Sequence, residues 1–310
     1  TPGQVGRPCA VVTADIASEL GIPDDAVVAF GLIDAEAGAL GVMGKDFFDT
    51  MDLRLMLIGG TSTNYMTFSS EKRLIPGIWG PFKDAVFADI WMHEGGQSLS
   101  GAALDAVLDH HPAGPGSASS EHHRVVATHV LEIIEREGPN FSPLRHIVPD
   151  WLGNRSPLGD GHARALVTGL GVEDNYRSCL EHYYATARGL VLQSRQVIEH
   201  FNRFGFQISE VSLSGGQLKN ELMRKLYKDA LGVTTFIPDV KEPVLLGTAM
   251  VAASAANFYP DLQGAVAGMS PNFIRQTPDP QSRQTYDKAY EIYLLLFETR
   301  NRIERLAKSL

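Results

Sequence analysis

The 310-residue sequence has few cysteines, no long apolar run and a shortage of basic charge. Its two cysteines, Cys9 and Cys179, are too few for a disulfide framework, which favours a reducing cytoplasm. No uncharged apolar stretch reaches the roughly 18 to 20 residues of a membrane span. With 27 basic against 36 acidic residues, the formal net charge is -9. We therefore expect neither nucleic acid nor an anionic membrane as a partner.

Two common nucleotide-binding motifs are also missing. There is no G-x-x-x-x-G-K-[ST] loop, and residues 41–45 (GVMGK) lack its spacing, which argues against a Walker-type NTPase. The absence of a strand–G-x-G-x-x-G–helix unit argues against a dinucleotide-binding dehydrogenase. The first residues, 1–4 (TPGQ), are neither a signal peptide nor an ordinary translation start, so we expect a piece of a longer protein.

What is present is a mixture of short apolar strands and helices, which indicates the α/β class. Strands are predicted at 26–30, 53–58, 65–69 and 210–214, and helices at 15–20, from about 35, from 94, and over 176–204, 218–231, 245–256 and 286–310. The turn-rich segment 76–81 is expected to be irregular, and 111–120 to be a surface loop. The uncharged helix 245–256 is expected to be wholly buried.

Three glycine-rich turns follow or precede these elements. Residues 59–63 (GGTST) end a strand, 94–101 (EGGQSLSG) open a helix, and 215–220 (GGQLKN) link a strand to a helix. Glycine lets the backbone approach a ligand closely, so that its amides can converge on phosphate oxygens. The hydroxyls of residues 61–63 can donate to the same phosphates. Ordinary tight turns and helix caps are the alternative interpretation.

Asp34 is the candidate general base. It lies just past an apolar strand, and strand ends open onto crevices in α/β sheets. A carboxylate there can accept the proton of an attacking hydroxyl. The alternative is an aspartate that caps a helix whose glycines, Gly38, Gly41 and Gly44, weaken it.

Other polar and aromatic candidates are weaker. His110, His111, His122 and His123 flank the 111–120 loop, but no cysteine accompanies them, so a solvated surface is favoured over a metal site. Trp79 and Trp91 fit either stacking on a sugar or buried packing. Tyr183 and Tyr184 lie on one helix and are interpreted as core.

With these residues in view, the sequence resembles the FGGY carbohydrate kinases, members of the actin, hexokinase and seventy-kilodalton heat-shock fold group. Residues 31–38 (GLIDAEAG) are similar to the segment with the family's catalytic aspartate, which implies that Asp34 is the general base. Residues 60–62 resemble the hairpin that handles the terminal phosphates of the nucleotide. Glu94-Gly95 with Gly101 resembles the second nucleotide element.

The resemblance extends along the chain. Residues 214–220 look like the adenosine motif, and 246–249 (LGTA) like the buried helix that backs it. Residues 76–82 (PGIWGPF), 94–98 and 153–158 (GNRSPL) resemble pentulose kinases, and the Trp-Gly-Pro variant at 79–81 is most similar to D-ribulose kinases.

These similarities imply a fold, a reaction and a set of residues. The fold is the C-terminal lobe of a two-lobed, actin/hexokinase-like (ribonuclease H-like) ATPase, with 1–42 the end of the N-terminal sugar-binding lobe and 43–310 the ATP-binding lobe. The reaction is ATP-dependent phosphorylation of D-ribulose to D-ribulose 5-phosphate, with Mg²⁺ on the phosphates. The implied ATP-binding residues are Gly60, Thr61, Ser62, Gly101, Asp105, Gly215, Gly216 and Asn220. Asp34 and Trp79 are the implied sugar contacts, and no protein residue is assigned to the metal.

Alternatives and departures accompany this interpretation. A kinase of L-ribulose, xylulose or ribitol, or a nucleotide-binding sensor of the same fold, is an open alternative. Ser178 and Cys179 stand where the family usually has an acidic or histidine position. The family's N-terminal half is missing, so we expect these residues alone not to phosphorylate D-ribulose. The expected partners are the sugar and ATP, and a homodimer is allowed.

Overall fold

The computed structural model describes residues 3–309 and has a mixed α/β architecture. Its strands are β1 Pro8–Val11, β2 Val27–Ala29, β3 Arg54–Gly59, β4 Thr63–Ser69, β5 Trp79–Lys83, β6 Trp91–Gln97, β7 Ile147–Val148, β8 Leu166–Val167, β9 Glu210–Ser214, β10 Thr234–Pro238 and β11 Phe273–Gln276. Its helices are α1 Ala14–Leu20, α2 Asp34–Leu40, α3 Gly101–His110, α4 Ser120–Glu137, α5 Tyr176–Arg203, α6 Glu221–Ala230, α7 Pro243–Ala255, α8 Leu262–Gly268 and α9 Pro280–Ala307.

A seven-stranded sheet with the order β11-β10-β9-β3-β4-β6-β5 organises the structure. β9 runs parallel to both β3 and β10, and the other pairs are antiparallel. β3 is apolar along most of its length because both of its faces are covered. Leu55 and Leu57 join the core formed with α3 to α6 and α9, whereas Met56 between them joins the core on the opposite face with α2, α7 and α8.

The two longest helices are amphipathic rather than uniformly apolar. α5 and α9 each have 28 residues and carry charged side chains along their exposed faces. Tyr183 and Tyr184 on α5 are fully buried, which confirms that they belong to the core. Between residues 3 and 309, no helix has the length and hydropathy that crossing a membrane requires.

Two predictions for the segment 76–97 are wrong. Residues 94–97 are not the start of a helix but the end of β6, which pairs with β4 from Thr63 opposite Gln97 to Ser69 opposite Trp91. The helix starts only at Gly101. The supposedly irregular segment contributes β5, whose proline is tolerated because the strand lies at the sheet edge.

The uncharged helix α7 is only partly buried, contrary to expectation. Leu245 is 66% exposed, and Thr248 is exposed as well. α7 packs chiefly against α2 and α8, and does not form the backing of the 214–220 segment that the resemblance implied. A Cβ on Gly247 would collide with the carbonyl of Ala37, so this glycine allows α2 and α7 to cross closely.

The glycines expected to weaken α2 have a packing role instead. Gly41 lies so close to the carbonyl of Pro243 at the start of α7 that no side chain fits there. The residue before it, Leu40, is fully buried in the core beneath the sheet, whereas Ile33 ahead of the helix is 58% exposed. Local helix propensity is therefore secondary here to the contact between the two helices.

Candidate active site

Three glycine-rich turns meet at one end of the strands of the central sheet. The first joins β3 to β4, the second joins β6 to α3, and the third joins β9 to α6 through the 3₁₀ helix Gly216–Lys219. β3 and β9 are parallel neighbours, and β6 pairs antiparallel with β4, which itself follows β3. The C-terminal ends of β3, β6 and β9 therefore lie at the same end of the sheet. Segments far apart in the sequence are therefore brought together, as at the crevices of other α/β sheets.

The turns touch each other through their glycines. A Cβ on Gly101 would lie 2.6 Å from the carbonyl oxygen of Gly60, to which the Gly101 amide donates over 3.1 Å. Gly215 has a φ of +98° and packs directly under the carbonyl of Gly59. Any side chain at either position would push the turns apart, which explains why glycine stands there.

Gln217 links all three turns from within. Its amide Nε2 donates to Ser100 Oγ over 2.6 Å and to the Gly60 carbonyl over 3.0 Å. Its Oε1 accepts a hydrogen bond from the Tyr227 hydroxyl over 2.7 Å. The side chain is buried, so these hydrogen bonds are not exchanged with solvent. The sequence motif contains Gln217, but no pattern in the sequence assigns it this role.

Above the turns lies an open cavity of about 660 Å³. Of the predicted nucleotide residues, Gly60, Thr61, Gly101, Asp105, Gly216 and Asn220 line it. The other two, Ser62 and Gly215, lie in the same turns but do not line it. Its other lining residues include Ala102, Leu104, His123, Arg124, Ala127, Lys219 and Met223, which sequence reasoning did not assign. A cavity of this size suits a ligand of nucleotide dimensions.

A chain of hydrogen bonds forms one wall of the cavity. Asn220 Nδ2 donates to the Tyr183 hydroxyl over 2.8 Å, and that hydroxyl lies 2.8 Å from His123 Nδ1. His123 Nε2 lies 2.7 Å from Asp105 Oδ1. Because a carboxylate only accepts, His123 donates to Asp105 through Nε2 and accepts from Tyr183 through Nδ1. Burial raises the pKa of Tyr183 well above its usual range, so the hydroxyl stays protonated.

This wall corrects one prediction and refines another. His123 is not a solvated surface residue, because α4 places it against Asp105 and Tyr183. Asn220, assigned to adenosine, also caps α6: its Oδ1 accepts from the amides of Leu222 and Met223. Asn220 lines the cavity, and only one of its two Nδ2 protons is used in the bond to Tyr183.

Asp34 lies outside this cavity. It is the first residue of α2, it is exposed, and its Oδ1 accepts from the Ala35 amide over 2.8 Å. One helical turn further on, a Cβ on Gly38 would contact Ile58, two residues before Gly60. The helix that carries Asp34 is thus packed directly on the strand that leads into the first glycine turn.

Trp79 lies on the edge strand β5, 46% exposed, opposite Glu94 on β6. The Arg155 guanidinium lies 5.8 Å from the centre of its indole ring. Glu94 and Glu36 line a shallow cleft beside it. Burial raises the pKa of Glu94, and the negative charge of Glu36 raises it further. Glu94 belongs to the predicted second nucleotide element, but within that element it is Gly101 that lines the larger cavity.

The segments that resemble pentulose kinases converge beside Trp79. Ser156 Oγ accepts from the Gly96 amide over 3.1 Å and donates to the Gly77 carbonyl over 2.9 Å. One hydroxyl therefore ties segments 76–82, 94–98 and 153–158 together. A Cβ on Gly96 would contact both Arg155 and Trp79, so glycine is needed for this close packing.

Solved structures share this fold. A xylulose kinase from Rhodospirillum rubrum matches with a TM-score of 0.76 at 19% identity, over 97% of this chain and 57% of that one. Plasmodium falciparum glycerol kinase with ADP matches with a TM-score of 0.68 at 14% identity, over 94% and 55% of the two chains. The fold is therefore the one that these kinases share, which confirms the predicted fold class.

Sequence comparison identifies the family. Residues 55–256 match the C-terminal domain of the FGGY family of carbohydrate kinases. An FGGY carbohydrate kinase domain-containing protein of Homo sapiens is 33% identical over 93% of this chain and 55% of its own length. A D-ribulokinase of Saccharomyces cerevisiae is 30% identical over 78% of this chain and 38% of its own.

The chain belongs to the FGGY family of carbohydrate kinases, which confirms the resemblance described from its motifs. It spans about half the length of the first curated relatives it matches, with 54% of the Xenopus laevis protein covered.

Proposed function

We propose that this chain supplies the ATP-binding lobe and the general base of a kinase that converts D-ribulose to D-ribulose 5-phosphate. The observation that carries the proposal is the meeting of three glycine-rich turns at a single cavity. Six of the eight residues assigned to ATP from the sequence line that cavity. The boundary near residue 42 between two lobes is part of the same proposal, and the free thiols of Cys9 and Cys179 favour a cytoplasmic location.

The cavity has the chemistry that a nucleoside triphosphate requires. Gly60 and Gly101 use their own amides to hold the turns together, so that Thr61 is left to present its hydroxyl to phosphates at this end of the sheet. Lys219 supplies positive charge at the cavity wall, whereas the Arg124 guanidinium is already paired with the Glu121 carboxylate. Gly216 leaves open space, because a Cβ there would meet no atom within 4 Å. The ADP named in the glycerol kinase structure supports the same assignment through the shared fold.

Asp34 is proposed as the base that accepts the proton of the sugar hydroxyl. Its carboxylate is exposed, and α2 holds it on the same packed unit as the Gly60 turn. Phosphoryl transfer depends mainly on positioning and charge neutralisation, so a fixed relationship between base and phosphates is the property required.

Mg²⁺ is proposed to be held chiefly by the phosphates of ATP. Among residues 3–309 no group of three acidic, histidine or cysteine side chains is arranged to hold a metal ion by itself. When bound, the ion would neutralise charge on the phosphates during transfer.

D-ribulose is preferred over other sugars for two reasons. The pentulose-kinase-like segments are joined by Ser156 beside the exposed ring of Trp79, which provides a surface for a sugar. The relatives also include a protein named as a D-ribulokinase, at 30% identity. Kinases of L-ribulose, xylulose or ribitol are the alternatives that a substrate panel separates.

The test joins this chain to the N-terminal half of the yeast D-ribulokinase and measures sugar-dependent ADP release. We expect D-ribulose to give the highest kcat/KM in a panel with L-ribulose, xylulose, ribitol and glycerol. The 310-residue chain alone is expected to show no turnover. Preference for another sugar would overturn the substrate assignment, and ATP binding without turnover on any sugar would favour a nucleotide sensor.

A further inference from the structure

A second cavity, of about 490 Å³, lies behind the proposed nucleotide cavity. Its walls come from α3, α5 and the loops around residues 112, 145, 151 and 170. Most of its lining is apolar, with Leu99, Ala103, Val107, Trp151 and Leu170 among the contributors. Its volume falls within the range of small-molecule sites, which is roughly 300–1,000 Å³.

The two cavities lie on opposite faces of α3. Gly101, Ala102, Leu104 and Asp105 face the nucleotide cavity, whereas Ala103, Ala106, Val107 and His110 face the second one. The latter positions have the spacing of a single helical face. No described residue lines both cavities, so a ligand in the second need not displace one in the first.

Arg145 is the buried charged group of the second cavity. It is only 6% exposed, and its guanidinium donates to the Ser178 carbonyl over 3.0 Å and to Ser178 Oγ over 3.2 Å. It also makes two longer hydrogen bonds, of 3.4 and 3.5 Å, to the Gly169 carbonyl. Within residues 3–309, no carboxylate oxygen lies within 4.0 Å of its nitrogens. A buried charge that has only neutral partners is costly, so a site of this kind gains from an added anion.

The other polar groups do not neutralise Arg145. Burial, together with the positive charge of Arg145, lowers the pKa of His182 to about 4, so this imidazole is neutral at pH 7. Burial and Arg145 also lower the pKa of His111, and the nearby Asp174 carboxylate offsets only part of this shift. Glu173 lies at the exposed rim, and its carboxylate is beyond ion-pair distance of the guanidinium.

We propose that this second cavity is a binding site for a small organic anion with an apolar body. The anionic group would pair with Arg145, and the apolar body would lie against Val107 and Trp151. Charge complementarity selects an anion, and the apolar walls select a ring or short hydrocarbon over a bare inorganic ion. The proposal is independent of what the nucleotide cavity binds.

The test is a ligand-observed fluorine NMR titration with para-fluorobenzoate on the complete 310-residue chain. Its uncharged counterpart, para-fluorobenzamide, has the same shape. We expect saturable benzoate binding and roughly tenfold weaker benzamide binding, the factor that one charge-assisted hydrogen bond supplies. Equal affinity of the two compounds, or no benzoate binding at millimolar concentration, would overturn the proposal.

Two variants locate the site. Ala106→Phe fills the cavity from a half-buried position and should abolish benzoate binding, whereas Gly216→Phe in the other cavity should leave it unchanged. Arg145→Met should reduce benzoate binding to the level of benzamide. If Arg145→Met does not fold, Ala106→Phe and the comparison of the two compounds decide the matter. Undiminished benzoate binding in Ala106→Phe would place the ligand elsewhere and refute the assignment.

Discussion

Gln217 Nε2 donates a 2.6 Å hydrogen bond to Ser100 Oγ, at the point where the three glycine-rich turns meet. Ser100 accepts a second bond from Thr63 Oγ1 over 2.9 Å, so the loop before α3 is fixed to the β3–β4 turn. All three side chains are buried. The position of the cavity floor thus depends on a small polar network that the glycine motifs themselves do not specify.

Gln217→Leu should destabilise the fold and weaken nucleotide binding together. Leucine fills a similar volume but leaves the buried Tyr227 hydroxyl without its partner, which costs roughly 1–3 kcal/mol. Urea unfolding measures this loss, and calorimetry measures nucleotide affinity. The exposed Gln207→Leu is the matched control and should change neither quantity. An unchanged midpoint for Gln217→Leu would show that the network contributes nothing.

Tyr183→Phe should lower the stability of the fold and weaken nucleotide binding, although it hardly changes the volume of the side chain in the core. The change removes the hydroxyl that joins His123 to Asn220 and leaves two polar partners unpaired, which costs about 1–3 kcal/mol. Thermal unfolding and nucleotide titration are the measurements. Tyr176→Phe, at an exposed tyrosine beside His129, is the control. If both substitutions change unfolding and nucleotide binding equally, the hydrogen bonds of the cavity wall make no particular contribution to either.

Some of this arrangement is readable from the sequence and some is not. β9 is found at residues 210–214, where the sequence predicted it, because Gly215 marks its end. Residues 94–97 cannot be recognised as a strand from the sequence, because two adjacent glycines resemble a turn and only pairing with β4 makes them a strand. His123 could not be placed at the cavity, since its position depends on how α4 packs.

Asp34→Asn should remove catalysis while nucleotide binding persists. In the chain joined to a relative's N-terminal half, loss of a general base is expected to lower kcat by roughly 10²–10⁴-fold. The amide keeps the size of the side chain, and Asp34 does not line the nucleotide cavity, so ADP affinity should be unchanged. Asp25→Asn, also exposed, serves as the control. Turnover close to that of the unmodified protein would make Asp34 structural.

His182 should make the fold less stable in acid. Its pKa is lowered from 6.5 to about 4 in the folded chain, chiefly by burial. Between those values the unfolded state binds more protons, so stability is fully present above pH 6.5 and declines as the pH falls towards 4.

His182→Asn should reduce the slope of unfolding free energy against pH in that window, with the exposed His162→Asn as the control. Burial also lowers the pKa of His93 and His146, so part of the slope will persist. Denaturant titrations at several pH values provide the comparison. Identical slopes for the unmodified chain and His182→Asn would contradict this assignment.

The central claim is that the three glycine-rich turns form a nucleotide site, and Gly216 offers its most direct test. A Cβ at Gly216 meets no neighbour within 4 Å and its φ is not positive, so Gly216→Phe should place a ring in the cavity without strain. Gly161 has the same freedom away from the cavity, which makes Gly161→Phe the matched control.

The decisive measurement is isothermal titration of Mg²⁺-ADP into the unmodified 310-residue chain and these two variants. We predict saturable binding to the unmodified chain and to Gly161→Phe, and none to a folded Gly216→Phe. Absence of heat with the well-folded unmodified chain up to millimolar nucleotide, or undiminished binding by Gly216→Phe, would contradict the account.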